Sequence, residues 1–99
     1  IKELVSQLKS EMTLPQKIDE YTTLTNITAH SDAIRYHYTL SGLDVSDLTN
    51  SDLKSAASPG ICSEESIKFL LEEDIDLEYS YIDSSSNETF FFTINKKDC

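Results

Sequence analysis

Two imidazoles, His30 and His37, are the only histidine side chains in this 99-residue chain. A serine or cysteine nucleophile needs a base beside it. His30 falls in a hairpin turn and His37 on the polar face of a strand, and no motif brings a reactive serine to either. Cys62 is better explained by Cys99 than by catalysis. A metal site could be drawn from His30, Asp32 and His37, but their spacing matches no ligand framework, and exposed polar residues are the simpler reading. Paired carboxylates stand at Asp19/Glu20 and at Glu72/Glu73/Asp74. Neighbouring carboxylates point different ways on a helix, and glycosidase chemistry needs a cleft across a larger scaffold. The expectation is a protein that is not an enzyme, with no catalytic, cofactor or metal site. Two glycosylation-type triplets, Asn26-Ile27-Thr28 and Asn87-Glu88-Thr89, are uninformative in so Thr- and Asn-rich a chain.

The remaining reactive pair is Cys62 and Cys99, the only cysteines. They allow one pairing. A disulfide would tie down a chain end that otherwise frays, and it points to an oxidising compartment. Two free thiols in a reducing compartment are the other reading. A metal pair is disfavoured, because two cysteines alone do not complete a tetrahedral site.

Charge narrows the partners. Eight Lys and Arg face 18 Asp and Glu, for a net charge of −10. Nucleic-acid binding needs clustered basic residues to neutralise phosphates, so it is excluded. An anionic membrane surface would repel the chain, while a basic protein would be drawn to it. Acidity is also a common means to solubility. No run approaches the roughly 18 apolar residues of a membrane span. The chain starts at Ile1, so a membrane attachment would come from a segment upstream.

The elements follow from periodicity. Ile1, Leu4, Val5, Leu8 and Met12 form one helical stripe, so a helix is expected over Ile1–Met12, stopped by Pro15. Tyr21–Ala29 is dense in Thr and reads as a strand, although Leu24 and Ile27 have opposite parity; a bulge lies between them or one of them faces out. Ala33–Leu40 alternates cleanly, with Ile34, Tyr36, Tyr38 and Leu40 on one face and Arg35, His37 and Thr39 on the other. A weak helix spans Leu48 to Ala57 and ends at Ser58-Pro59-Gly60. Ser63 is placed as N-cap of a helix over Glu64–Glu73. Ile75–Ile82 and Glu88–Ile94 read as strands around a polar loop at Asp83–Asn87. The strings I-R-Y-H-Y-T-L and L-E-Y-S-Y-I-D share an apolar-x-Tyr-x-Tyr pattern, either an internal pseudo-repeat or two ordinary amphipathic strands.

These elements predict one α+β domain over residues 1–99, in the order α-β-β-α-α-β-β. Its expected form is a two-layer sandwich with a four-stranded antiparallel sheet of two hairpins and helices on the tyrosine-rich face. The opposite face would be open and would carry Arg35, His37, Thr39, Asp76, Glu78, Ser80, Thr89, Phe91 and Thr93. Arg35, His37, Glu78 and Phe91 are the candidate partner surface there; the sheet edges and a groove between helix and sheet are the other candidates.

From Ile61 to Cys99 the chain reads I-C-S-E-E-S-I-K-F-L-L-E-E-D-I-D-L-E-Y-S-Y-I-D, then, after a polar loop, F-F-F-T-I-N-K-K-D-C. A Cys, a short helix ending in Leu-Leu, an aromatic alternating strand, a turn and a last strand ending in Cys resemble the C-terminal half of the small α/β pilotin lipoproteins of type II secretion. Similar patterns occur in uncharacterised small lipoproteins of Gram-negative bacteria. Asp74 stands where those proteins commonly have Gly after the helix, and their lipid-bearing N-terminal Cys has no counterpart. The resemblance implies a disulfide-bonded, non-enzymatic periplasmic protein, held at the outer membrane by a lipid upstream of Ile1. It also implies a protein partner, since a pilotin binds the C-terminal tail of a secretin subunit and escorts it to the outer membrane. It carries over no binding residue.

Two other functions fit the residues. An acidic immunity or inhibitor protein would capture a basic toxin by electrostatic steering. A small enzyme or ligand carrier would need a pocket with convergent polar groups.

Overall fold

The computed structural model describes residues 2–99, so Ile1, counted in the first apolar stripe, lies outside the described residues. Its elements are α1 (Lys2–Ser10), β1 (Gln16–Lys17), β2 (Thr22–His30), β3 (Ala33–Leu40), α2 (Asn50–Ser63), α3 (Glu65–Glu72), β4 (Asp76–Asp83), β5 (Thr89–Ile94) and a closing 3₁₀ turn at Lys96–Asp98. All five strands form one sheet in the order β1-β2-β3-β4-β5.

The expected four-stranded antiparallel sheet is corrected in two respects. β1 is an added edge strand, pairing Gln16 with Leu24 and Lys17 with Thr23. β3 and β4 run parallel, in unbroken register from Ala33–Asp76 to Leu40–Asp83. The helices α2 and α3 explain the direction. They carry the chain from the end of β3 back to its start, as a parallel neighbour requires. The remaining pairs, β2–β3 and β4–β5, are the expected antiparallel hairpins.

The Tyr-x-Tyr strings therefore meet side by side, with Tyr36 opposite Tyr79 and Tyr38 opposite Tyr81. Their rings stack at 5.2 Å and 4.8 Å between centroids, and Tyr79 continues onto Phe92 at 5.0 Å. In-register pairing of like residues sets the rings face to face as one aromatic layer, in which Tyr79, Tyr81 and Phe92 are buried and Tyr36 and Tyr38 half-buried. Burial raises the Tyr36, Tyr38 and Tyr79 hydroxyl pKa values above the usual tyrosine range.

The parity conflict in β2 is resolved by a bulge. The register shifts between Leu24 and Asn26, so Leu24 faces Tyr38 and Ile27 faces Tyr36. Both apolar residues are buried. Thr25 is the extra residue, and its hydroxyl donates to the His37 carbonyl at 3.0 Å. The core then runs through Ile34, Leu77 and Ile94 on neighbouring strands, joined by Val5 of α1 and Leu70 and Leu71 of α3.

α2 departs from its expected end. It passes through Pro59 and Gly60 to Ser63, so Cys62 lies in its last turn rather than at the start of α3. A proline inside a helix removes one backbone donor and crowds the preceding turn. The far end is fastened nonetheless: Cys62 is bonded to Cys99, and Lys54 Nζ meets Asp98 Oδ1 at 3.1 Å. Ser63 is not the cap of α3; its hydroxyl donates to the Gly60 carbonyl at 2.9 Å, and Glu64 holds the N-cap position with no side-chain bond. At the start of α2, Thr49 and Asp52 form a reciprocal capping box.

Candidate functional site

The face of the sheet away from the aromatic layer carries the predicted partner residues. Arg35 and Glu78 are opposite each other in register, and Arg35 Nε donates to Glu78 Oε1 at 3.1 Å. The same guanidinium lies 5.3 Å from the centre of the Phe91 ring, a cation–π distance. Three of the four predicted residues therefore form one contiguous patch.

The fourth, His37, belongs to a neighbouring cluster on the same face. Its Nε2 lies 2.7 Å from Thr28 Oγ1, and His30 Nε2 lies 2.6 Å from the same oxygen. Burial, then the Arg35 and His30 charges, hold the His37 imidazole below its usual pKa. Phe91 and Ile82 stand exposed on this face, so it is less uniformly polar than its alternation suggests.

A second surface lies on the other side of the sheet, and its make-up is different. Tyr21, Leu40, Leu43 and Tyr81 together with Leu53 and Ala57 of α2 line an apolar groove of about 470 Å³. Asp19 and Glu20 form an acidic rim. The groove owes its shape to a turn. Gly42 sits at φ +75°, a conformation other residues avoid, and a Cβ there would meet Tyr21 Cδ1 at 3.8 Å. Ser41 N–H donates to the Tyr21 carbonyl at 2.9 Å, which holds the Leu43 segment beside Tyr21. Asp19 is fixed because its Oδ1 accepts from the Tyr21 and Thr22 amides, both at 2.9 Å. Burial and the Asp19 carboxylate push the Tyr81 hydroxyl up to about 12. Tyr21 and Leu43 remain exposed at the mouth. A groove between helix and sheet was among the predicted surfaces, but its residues were not. They come from separated stretches, and no local spacing links them.

Cys62 and Cys99 form the disulfide, with Cα atoms 5.4 Å apart. It fastens the chain end to α2 and leaves no free thiol among the described residues. Among the described residues, no three or more His, Cys, Asp or Glu side chains converge as metal ligands. None of the described helices is long and apolar enough to cross a membrane.

No family model matches the chain, and no characterised protein sequence matches it. Solved structures do. A Pseudomonas aeruginosa protein described as secreted superposes with a TM-score of 0.82 at 16% identity, over 99% of this chain and 91% of that one. The type 2 secretion pilotin of Vibrio vulnificus matches with a TM-score of 0.79 at 11% identity, over 99% of this chain and 86% of that one. The type II secretion pilotin of Vibrio cholerae matches with a TM-score of 0.75 at 14% identity, over 99% of this chain and 87% of that one. The resemblance first visible in the C-terminal stretch thus extends over nearly the whole chain, which has the pilotin fold.

Proposed function

We propose that this chain is a non-enzymatic periplasmic interaction protein of the pilotin kind, which holds an apolar segment of a secretin while the subunit travels to the outer membrane. The observation that carries the reading is the shared fold with two type II secretion pilotins across 99% of the chain. The apolar groove supports it, because an amphipathic segment can lay its apolar face on Tyr21, Leu43 and Leu53 and its basic side chains against Asp19 and Glu20. The net charge of −10 favours the approach of a basic segment.

Docking belongs in the groove rather than on the opposite face, where Arg35 and Glu78 already satisfy each other. Arg35, His37, Glu78 and Phe91 remain a second surface for a partner. In this reading a lipid on a segment upstream of Ile1 holds the protein at the outer membrane. The fold likeness lends nothing to the alternative of an acidic toxin inhibitor.

The test is genetic and biochemical. Deleting the gene is expected to shift the organism's secretin from the outer to the inner membrane, and restoring it should reverse the shift. Secretin that assembles normally in the outer membrane without the gene would refute the proposal.

A further inference from the structure

Two imidazoles on the open sheet face aim at one point. His30 Nε2 and His37 Nε2 approach Thr28 Oγ1 from adjacent antiparallel strands, at 2.6 Å and 2.7 Å. The threonine hydroxyl has one proton, so in the neutral state it donates to one ring and accepts from the other. We propose that His30 and His37 form a two-imidazole site for a late first-row divalent metal ion, Cu²⁺ most tightly, with water at the remaining positions and the Thr28 hydroxyl displaced.

Ligand chemistry favours such an ion. Imidazole suits copper, nickel and zinc, and copper stands highest in the affinity order of these ions. Metal–nitrogen bonds of about 2.0–2.1 Å are shorter than the hydrogen bonds they would replace. Both rings therefore need only to turn inward and adopt the Nδ1–H tautomer, while Thr28 turns its hydroxyl away.

The surroundings permit a cation. Arg35, opposite Thr28 in register, is a fixed positive charge beside the site. Its guanidinium is occupied by Glu78 at 3.1 Å and by the Phe91 ring. The site rests on paired strands rather than a loop, which holds the two ligands near each other without the metal. With two protein ligands and, among the described residues, no group of three or more His, Cys, Asp or Glu converging there, it binds more weakly than an enclosed four-ligand site.

The test titrates the whole chain, disulfide intact, with Cu²⁺ at neutral pH. Calorimetry should give one ion per chain, and electron paramagnetic resonance should show two coordinated nitrogens. His30→Ala and His37→Ala should each weaken binding at least about tenfold, since even outer-shell partners cost that much at metal sites. Thr28→Val should bind at least as tightly as the parent. Acetylating the terminal amine should change nothing. One readout needs no variant: substoichiometric Cu²⁺ should broaden first the imidazole proton resonances of His30 and His37. Absence of saturable binding, broadening centred elsewhere, or affinity that follows the terminal amine rather than the two histidines would overturn the site.

Discussion

At the scale of single residues, two ionisable groups report on the fold through pH. The His37 imidazole is held below its usual pKa by burial, Arg35 and His30. A depressed histidine favours folding most when neutral, so its contribution is complete above the unfolded value of about 6.5 and is lost as pH falls through the lower folded value. The melting temperature should therefore fall between pH 7 and pH 5 by less in His37→Gln than in the parent. An equal fall in the two proteins would show that His37 is not coupled to folding. Asp83 works in a lower pH range. Its Oδ2 accepts from the Ser86 amide at 2.9 Å and the Ser86 hydroxyl at 2.8 Å, and these bonds lower its pKa. The stability it lends is present above the unfolded carboxylate value of about 3.9 and disappears as pH falls through the folded value. Asp83→Asn should lose stability at pH 7 and show a shallower acid transition in circular dichroism.

At the scale of elements, the most informative position is the end of α3. Asp74 has φ +60°, the left-handed region that costs L-residues roughly 1–2 kcal/mol and that Gly enters freely. It also adds negative charge next to Glu72 and Glu73, at the helix end where the dipole disfavours it. Gly is the residue this backbone prefers. Asp74→Gly should raise stability by about 0.5–1 kcal/mol, the left-handed gain less the extra freedom of Gly in the unfolded chain; a urea titration measures it. The cap of α2 makes a complementary case. Thr49→Ala removes the hydroxyl that accepts from the Asp52 amide at 3.0 Å and should cost about 1 kcal/mol.

Local signals were legible where one element decided them. The opposite parity of Leu24 and Ile27 left a bulge or an outward-facing residue as the two readings, and the bulge that lets both be buried is the one the strand adopts. The alternation of Tyr36 and Tyr38, and of Tyr79 and Tyr81, placed four tyrosines on one face. The edge strand β1 was not legible, because two polar residues, Gln16 and Lys17, carry no alternation. The full length of α2 was hidden by Pro59, whose local preference is overridden by the disulfide and by the Lys54–Asp98 ion pair.

At the scale of the molecule, long-range pairing decides what local pattern cannot. Whether β3 and β4 run parallel depends on the path of two helices between them, and no residue on either strand records it. The groove has the same origin: it exists only where Asp19–Thr22, Leu43, the face of α2 and Tyr81 meet. The disulfide was legible because only two cysteines were present. It closes a loop with a sequence separation of 37, which the chain-entropy model values at about 4 kcal/mol. The double variant Cys62→Ser/Cys99→Ser should lose a stability of that order, and an unchanged denaturation midpoint would show that the unfolded chain gains no freedom.

The proposed docking of a secretin segment in the apolar groove is open to calorimetric titration of the purified protein with a peptide spanning the C-terminal segment of its own organism's secretin. One peptide should bind per chain. Leu43→Glu, at an exposed groove position that leaves the core intact, should weaken binding at least about tenfold, or 1.4 kcal/mol, while Phe91→Ala on the opposite face should not. No binding, or binding indifferent to Leu43→Glu, would contradict docking in the groove.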